Sequence, residues 1–365
     1  MKKTIDKPFF LSLLTLIICG FFIFNSASLG LLANQGTKYS NVAFSQVFFG
    51  LFLGTVALVA TSRIPYKFWR TYSLIFFVMA VILNLLVFVP NIGFSHGGAY
   101  RWLHIAGYSF QPSELLKIAF ICYCAAYLSK TKDKVGTLKQ GLLPFLGILG
   151  IVASILISQP DNDTFLVIAM AGFAMFLSAG GKWKHVFIMV LILILGLFVA
   201  ATFRPYVKQR LTTFLNPAAN SQTSGYQIQQ SLIAIGSGGI TGKGFGQSVQ
   251  KFNFLPEPIG DSIFAVASEE FGFIGSTFII LLFLYFTISG LKIAGRTEDS
   301  FGRLFIVGTV ILIVSQAFIN IGAMVGVLPL SGIPLPFISH GGTALLITLT
   351  AMGIILNISK NQKRV

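Results

Sequence analysis

Asp261 to Gly290 reads DSIFAVASEEFGFIGSTFIILLFLYFTISG, and this stretch decides the fold. It opens on a carboxylate and continues as an apolar run longer than the roughly 20 residues a helix needs to cross a bilayer. A long polar loop, 203–262, precedes it and interrupts a chain that is otherwise almost continuously apolar. Asp261 therefore stands where the loop re-enters the membrane. A charge at such an edge is costly to keep unless it has work to do, which makes Asp261 the first candidate for chemistry.

The same pattern recurs outward along the chain. Hydrophobic residues make up 55% of the 365 and charged residues 10%, and the mean hydropathy is +0.82. A soluble domain carries about 25% charged residues, so the chain falls in the membrane class. Apolar runs predict about ten spans, near 9–31, 43–61, 72–90, 112–129, 141–158, 164–181, 185–202, 263–290, 304–328 and 337–358. The expected fold is all-α: one polytopic integral membrane domain over 1–365, with the 203–262 loop between helices 7 and 8.

Charge fixes the expected orientation. Alternate loops starting from the amino terminus hold Lys2, Lys3, Lys7, Arg63, Lys67, Arg70, Lys130, Lys132, Lys134, Lys139, Lys182, Lys184, Lys292, Arg296, Arg303, Lys360, Lys363 and Arg364. The positive-inside rule then puts both termini in the cytoplasm and Asp261 outside. The net charge of +15 is explained by topology, which argues against a nucleic-acid partner. Ser26-Ala27-Ser28 mimics a signal-peptidase site, but every later span depends on the first, so the segment is expected to stay. Cys19, Cys122 and Cys124 all fall in spans and imply no disulfide framework.

The acids number eleven. Asp6, Asp133, Glu298 and Asp299 fall in cytoplasmic loops. Asp161, Asp163, Glu257 and Asp261 are outer, and Glu114, Glu269 and Glu270 lie within or just inside spans. Outer cations Arg101, Arg204, Lys208, Arg210, Lys243 and Lys251 face them, a balance that suits an anionic substrate and one base. The Gly- and Pro-rich segment 329–342 adds irregular backbone near membrane depth, which is tolerated where it is buried in protein or lines a cavity.

Several motifs admit two readings. Gln111-Pro112-Ser113-Glu114-Leu115-Leu116-Lys117 starts a helix, and its Glu114 and Lys117 suit either an internal ion pair or substrate contact. Asp161-Asn162-Asp163 could hold Mg²⁺ or Mn²⁺, with Asp161 the candidate ligand, or could cap the next helix. The run 236–244 fails the phosphate-loop pattern, since Gly244 follows Lys243 where Ser or Thr is required, although Lys243 could still meet a substrate phosphate. Of Glu269 and Glu270, at most one can share a face with Asp261. His340 reads as a residue at the start of a helix.

Taken in order, the segments Tyr100-Arg101-Trp102-Leu103, Gln111 to Lys117, Gln159-Pro160-Asp161, Gly242-Lys243-Gly244-Phe245-Gly246, Leu255 to Val266, Glu269-Glu270-Phe271-Gly272 and Leu335 to Gly342 resemble the SEDS (shape, elongation, division and sporulation) family, which includes FtsW, RodA and SpoVE. The family usually has Asp-x-Gly-Thr where this chain has Asp161-Asn162-Asp163-Thr164. The resemblance implies a ten-span enzyme that polymerises lipid II into glycan strands on the outer face of the cytoplasmic membrane. It implies Asp261 as the essential acid, with Trp102 nearby. Arg101, Trp102, Glu114, Lys117, Arg210, Lys243, Glu257 and Glu269 are the candidate substrate contacts. A class B penicillin-binding transpeptidase and other division proteins are the implied partners. Tyr226 to Gly236 is closer in character to FtsW and SpoVE than to RodA, which favours septal over side-wall synthesis. Two other readings stay open: a lipid II transporter using Glu114, Lys117, Glu269 and Glu270 as coupling groups, and a scaffold without catalysis.

Overall fold

The computed structural model describes residues 5–33, 39–90, 92–96, 99–105, 108–203, 205–216 and 224–362. Lys2, Lys3, Lys38, Arg204, Lys363 and Arg364 lie outside the described residues. The helices are α1 (Lys7–Ser28), α2 (Tyr39–Phe44), which continues through a π-type segment Ser45–Leu53 into α3 (Gly54–Arg63), and α4 (Tyr66–Leu85). They continue as α5 (Pro112–Lys130), α6 (Leu143–Ser158), α7 (Asn162–Ser178), α8 (Trp183–Phe203), α9 (Pro205–Leu215), α10 (Ser224–Ser237), α11 (Ile263–Arg296), α12 (Ser300–Met324) and α13 (Gly342–Ser359).

Each expected span falls on a helix. Among the described residues seven helical stretches are long and apolar enough to cross a membrane, and Asn162–Ser178 and Trp183–Gly196 are shorter apolar helices. The last helix starts at Gly342 rather than at 337, since Pro334 and Pro336 hold the preceding chain out of a helix. Local chemistry marks other starts: Asp6 caps α1 through Phe9 N (3.1 Å), and Asp299 caps α12 through Gly302 N (2.9 Å). The buried apolar side chains form one cluster from Phe9 to Ile358. In α12, 78% of the spanning window is buried, so this helix stands at the centre of the bundle and its polar side chains can reach several neighbours.

The two ends of the bundle differ. At one end Asp6 N donates to Ser359 Oγ (3.3 Å), Asn357 and Lys360 donate to the Ser62 carbonyl (2.8 Å each), and Arg70 pairs with Asp299 (3.6 Å). The first and last described residues therefore share one end. The start of α5, the α6–α7 turn, Asp261 and the 328–341 segment share the other. Ser26-Ala27-Ser28 is buried within α1.

Two features depart from the sequence expectation. The segment before α5 is a three-stranded antiparallel sheet: β1 (Gly93–His96), β2 (Ala99–Ile105) and β3 (Tyr108–Phe110). The 203–262 loop contains α9 and α10, and its remainder is turns that pack on α11.

That packing explains the glycines. Helix α11 is broken at Gly272, whose φ is +65°, and the chain from 239 to 244 lies across the break. Lys243 N and Gly244 N donate to the Glu269 and Glu270 carbonyls (3.0 Å each), while Phe273 N donates to Gly239 O (2.9 Å) and Ile274 N to Ile240 O (3.2 Å). Backbone groups freed by the kink are thus satisfied within the protein, as membrane depth requires. A Cβ on Gly242 would strike the Glu270 carbonyl, and one on Gly272 would strike Gly242 N. The 236–244 run serves helix packing and forms no phosphate cradle.

Candidate active site around Asp261

The backbone carrying Asp261 is clamped from several directions. His340 N donates to Ile259 O (2.7 Å), and Ser339 Oγ donates to Gly260 O (2.7 Å). Asn320 Nδ2, from α12, donates to Asp261 O and to Ile333 O (2.8 Å each). Gln227 Nε2, from α10, donates to Ser262 Oγ (3.0 Å). Gly260 N and Ser262 N both donate to Glu257 O (3.0 and 3.2 Å). Such a set removes freedom from a loop residue and preorganises its side chain.

The carboxylate has a cation in its vicinity. Asp261 Oδ2 and Arg210 Nη2 lie 3.7 and 3.6 Å from the point where a Cβ on Gly332 would stand. Arg210 comes from α9 and pairs with Asp163 in the first turn of α7, and Gly332 N donates to the same Asp163 oxygen (3.2 Å). Helices α7 and α9, the 328–336 segment and the start of α11 thus converge on one spot. Burial pushes the Asp261 carboxyl up to about 7, helped by the negative charge of Glu257 and opposed by Arg210; Asp163 raises it and Arg101 lowers it further. A carboxyl at that value is poised to exchange protons near neutral pH.

The other expected residues fall into distinct places. Arg101 is half-buried on β2, and its guanidinium donates to Gln159 O (3.2 Å) and Pro160 O, which holds the α6–α7 turn beside the site. Trp102 is half-buried opposite Phe94 in the β1–β2 register. Arg101 falls between the pairs Phe94–Trp102 and Ser95–Tyr100, at an irregularity of the β1–β2 ladder. Glu257 has a positive φ of 46° and lines a groove of about 480 Å³ with Tyr226 and Asn253. Glu114 and Lys117 are buried against each other at 2.8 Å. Lys117 also donates to Gln316 Oε1 (3.0 Å), and Gln316 Nε2 donates to Pro334 O (2.9 Å). This pair thereby braces the 334 segment from within the bundle.

Lys243 and Glu269 are not brought to Asp261. Glu269 accepts from Lys243 Nζ (2.6 Å), Ser248 Oγ, Val249 N and Gln250 N. Glu270 accepts from Lys251 Nζ (2.7 Å), Ser26 Oγ (2.6 Å) and Ser248 N (3.3 Å). Both glutamates anchor the loop to α11, and Lys251 is buried rather than presented to a substrate. His340 is half-buried, stacked on Phe24 (6.0 Å), and desolvation lowers it to about 4, so it stays neutral at physiological pH.

A divalent-metal reading requires Asp161 and Asp163 to face one point. Asp163 is instead engaged by Arg210 and the Gly332 N–H, while Asp161 is buried with Oδ2 lacking a hydrogen-bond partner and its carboxyl raised by burial. Among the described residues no three His, Cys, Asp or Glu side chains gather into a metal site. Asp161 and Asp163 are therefore not held as a paired metal-binding element.

Residues that the sequence reading missed include Asp163 as the partner of Arg210, and the clamps Asn320, Gln227 and Ser339. Asn320 left a signal, being an amide inside an apolar run. The Arg210–Asp163 pair left none, because its members are far apart in sequence.

Comparison with known proteins identifies the family and the fold. A family profile for FtsW, RodA and SpoVE, described as cell cycle proteins, matches residues 7–364. The chain is 39% identical to a probable peptidoglycan glycosyltransferase FtsW of Geobacter metallireducens over 311 residues, covering 85% of this chain and 83% of that one. It is 39% identical to stage V sporulation protein E of Bacillus subtilis over 308 residues, 84% of each. In structure it is similar to the rod shape determining protein RodA of Thermus thermophilus, with a TM-score of 0.67, 21% identity and coverage of 96% and 97%. It is also similar to a chain from a peptidoglycan synthase complex that coordinates polymerization and crosslinking, with a TM-score of 0.75, 23% identity and coverage of 93% and 96%. By profile, identity and fold, the chain belongs to the FtsW/RodA/SpoVE family of cell cycle membrane proteins, the SEDS family.

Proposed function

We propose that the protein is a peptidoglycan glycosyltransferase that polymerises lipid II on the outer face of the cytoplasmic membrane. Asp261 carries the reading: a carboxyl tuned to about 7, clamped at one end of the bundle with Arg210 nearby and two residues beyond Ile259, which lines an open groove. The relatives' names as peptidoglycan glycosyltransferases support the reaction class. With both termini cytoplasmic, the end bearing Asp261 faces outward.

In the reaction Asp261 takes the proton from the acceptor sugar 4-hydroxyl as that oxygen attacks the donor anomeric carbon. The bond from that carbon to the pyrophosphate oxygen breaks, and the undecaprenyl pyrophosphate leaves with the electron pair. Attack opposite the leaving group inverts the anomeric centre. Glycosidases need a second carboxyl to protonate an ordinary sugar oxygen, whereas pyrophosphate leaves as an anion and needs cations nearby. Arg210 is placed to supply that charge, and bidentate contact with phosphate favours Arg.

The gap at Gly332 gives a steric prediction. A Cβ there makes only ordinary contacts with Arg210 and Asp261, so Gly332→Ala retains most polymerisation. Gly332→Leu fills the space between base and cation and lowers the rate at least about tenfold, an effect of displaced reacting groups. Gel analysis of the glycan product checks both.

The transporter reading requires free coupling groups inside the membrane. Here Glu114 and Lys117 close on each other, while Glu269 and Glu270 are held by Lys243 and Lys251, so polymerisation is favoured. Purified protein given labelled lipid II distinguishes the alternatives: glycan chains for the polymerase, transfer between leaflets for the transporter, neither for a scaffold. Septal synthesis is supported by the relatives named FtsW, and a tagged copy concentrating at division sites, rather than along the side wall as for a RodA-like role, tests it. A class B penicillin-binding transpeptidase is the partner that fits a chain resembling a synthase-complex subunit.

A further inference from the structure

A second site lies at the end of the bundle opposite Asp261. There α5 ends, the chain turns through 131–142 and α6 begins. A pocket of about 490 Å³ opens between them, lined by Lys130, Lys134 and Lys139 with Tyr127, Asp133 and Pro144. All three lysines are exposed. Among the described residues no carboxylate comes within 4.0 Å of any of their amines. Three cations thus face one anion, Asp133, around a single concavity.

The walls are built rather than loose. Tyr127 Oη donates to Gln140 O (2.7 Å), Thr131 Oγ1 to Tyr127 O (3.0 Å) and Thr137 Oγ1 to Lys134 O (2.7 Å). Lys134 N donates to Thr131 O (2.8 Å). Val135 is fully buried beneath the turn, and a Cβ on Gly141 would strike its carbonyl. Lys182, from the α7–α8 turn, packs against Gly136 and adds a fourth cation nearby. The backbone that carries the lysines is thereby fixed.

We propose that this pocket binds the phosphate headgroup of an anionic phospholipid. Lysine amines suit phosphate as point charges, and basic pockets between membrane helices on the cytoplasmic side are suited to anionic headgroups. The apolar flank selects a lipid over free phosphate. Leu138 and Leu143 beside the pocket are 56% and 58% exposed and face outward from the bundle, where acyl chains would lie against them. A zwitterionic headgroup brings its own ammonium to a site already rich in positive charge and binds less well. The site is separate from the Asp261 chemistry and stands whether or not that chemistry is polymerisation.

Retention of lipid by the full-length protein tests the proposal. Wild type and the triple variant Lys130→Gln/Lys134→Gln/Lys139→Gln are delipidated in detergent, given equal phosphatidylglycerol and phosphatidylcholine, and read by native mass spectrometry. Wild type is expected to retain phosphatidylglycerol in preference, and the triple variant to lose at least about tenfold of that preference, given the attraction each lysine adds near a membrane surface. Asp133→Asn is expected to raise retention, which keeps the test decisive should the triple variant not fold. Equal retention by wild type and the triple variant, no preference over phosphatidylcholine, or no gain in Asp133→Asn would overturn the assignment. Complete displacement of the lipid by millimolar inorganic phosphate would do the same by assigning the pocket to the free ion.

Discussion

Asp261→Asn is expected to lower polymer formation by about 10²–10⁴-fold, the usual contribution of a positioned base, and to raise the thermal stability of the protein. Asparagine keeps the shape and the backbone clamps from Asn320, Ser339 and His340, so lipid II binding persists. The stability gain follows from the carboxyl's titration. Its ordinary value is 3.8 and the folded value is about 7. Between these limits the folded state holds a proton that the unfolded chain has released, so stability falls as pH rises from about 4 and the loss is complete above about 7. The ionised group then costs the fold at most about 4 kcal/mol, and less after allowance for its partial exposure. Thermal denaturation at pH 8 checks the gain, and a gel assay of glycan chains checks the loss. A variant that is inactive but less stable than wild type would indicate that Asp261 is structural.

Lys251→Met gives the second large effect, this time on the fold. Lys251 is 1% exposed and donates to Glu270, Ser26 and the Gly246 carbonyl. Removing the amine leaves Glu270 buried without its cation, which costs about 3–5 kcal/mol. The double variant Lys251→Met/Glu270→Leu removes both charges and recovers much of that loss, because an apolar pair of similar volume replaces a desolvated ion pair. Thermal midpoints of the three proteins in detergent give the comparison. Activity should track stability, since the loop pinned by this network ends at Asp261. A double variant no more stable than the single one would show that the hydrogen bonds of Ser26 and Ser248, rather than the charge pairing, hold the loop.

The spanning helices were legible because their signal is additive: each residue of α11 or α12 contributes apolarity to one long window. Asp261 was legible for the same reason in reverse, as an acid at the edge of such a run. The sheet was harder. Gly93 to Ile105 carries a Gly97-Gly98 pair between two short alternating strands, a hairpin pattern, but its polar character read simply as an outer loop. Lys243 and Lys251 looked like substrate cations because sequence alone places every outer lysine in water. Only the fold over the α11 break shows that each has a glutamate within 2.7 Å. The Glu114–Lys117 pair was legible as a helix neighbour at three residues' spacing, whereas its link through Gln316 to Pro334 depends on the central position of α12. Roles set by long-range pairing are the ones a single chain conceals.

The most direct measurement is the pH dependence of kcat/KM for lipid II polymerisation by wild type and Arg210→Gln. With Asp261 as the base, the wild-type rate rises with pH and levels off above about 7. Loss of the neighbouring cation moves the rising limb of Arg210→Gln to higher pH, because Arg210 holds the carboxyl down. A rate independent of pH across the range from weakly acid to weakly basic, or a limb unmoved in Arg210→Gln, would contradict the assignment of Asp261 as the proton acceptor.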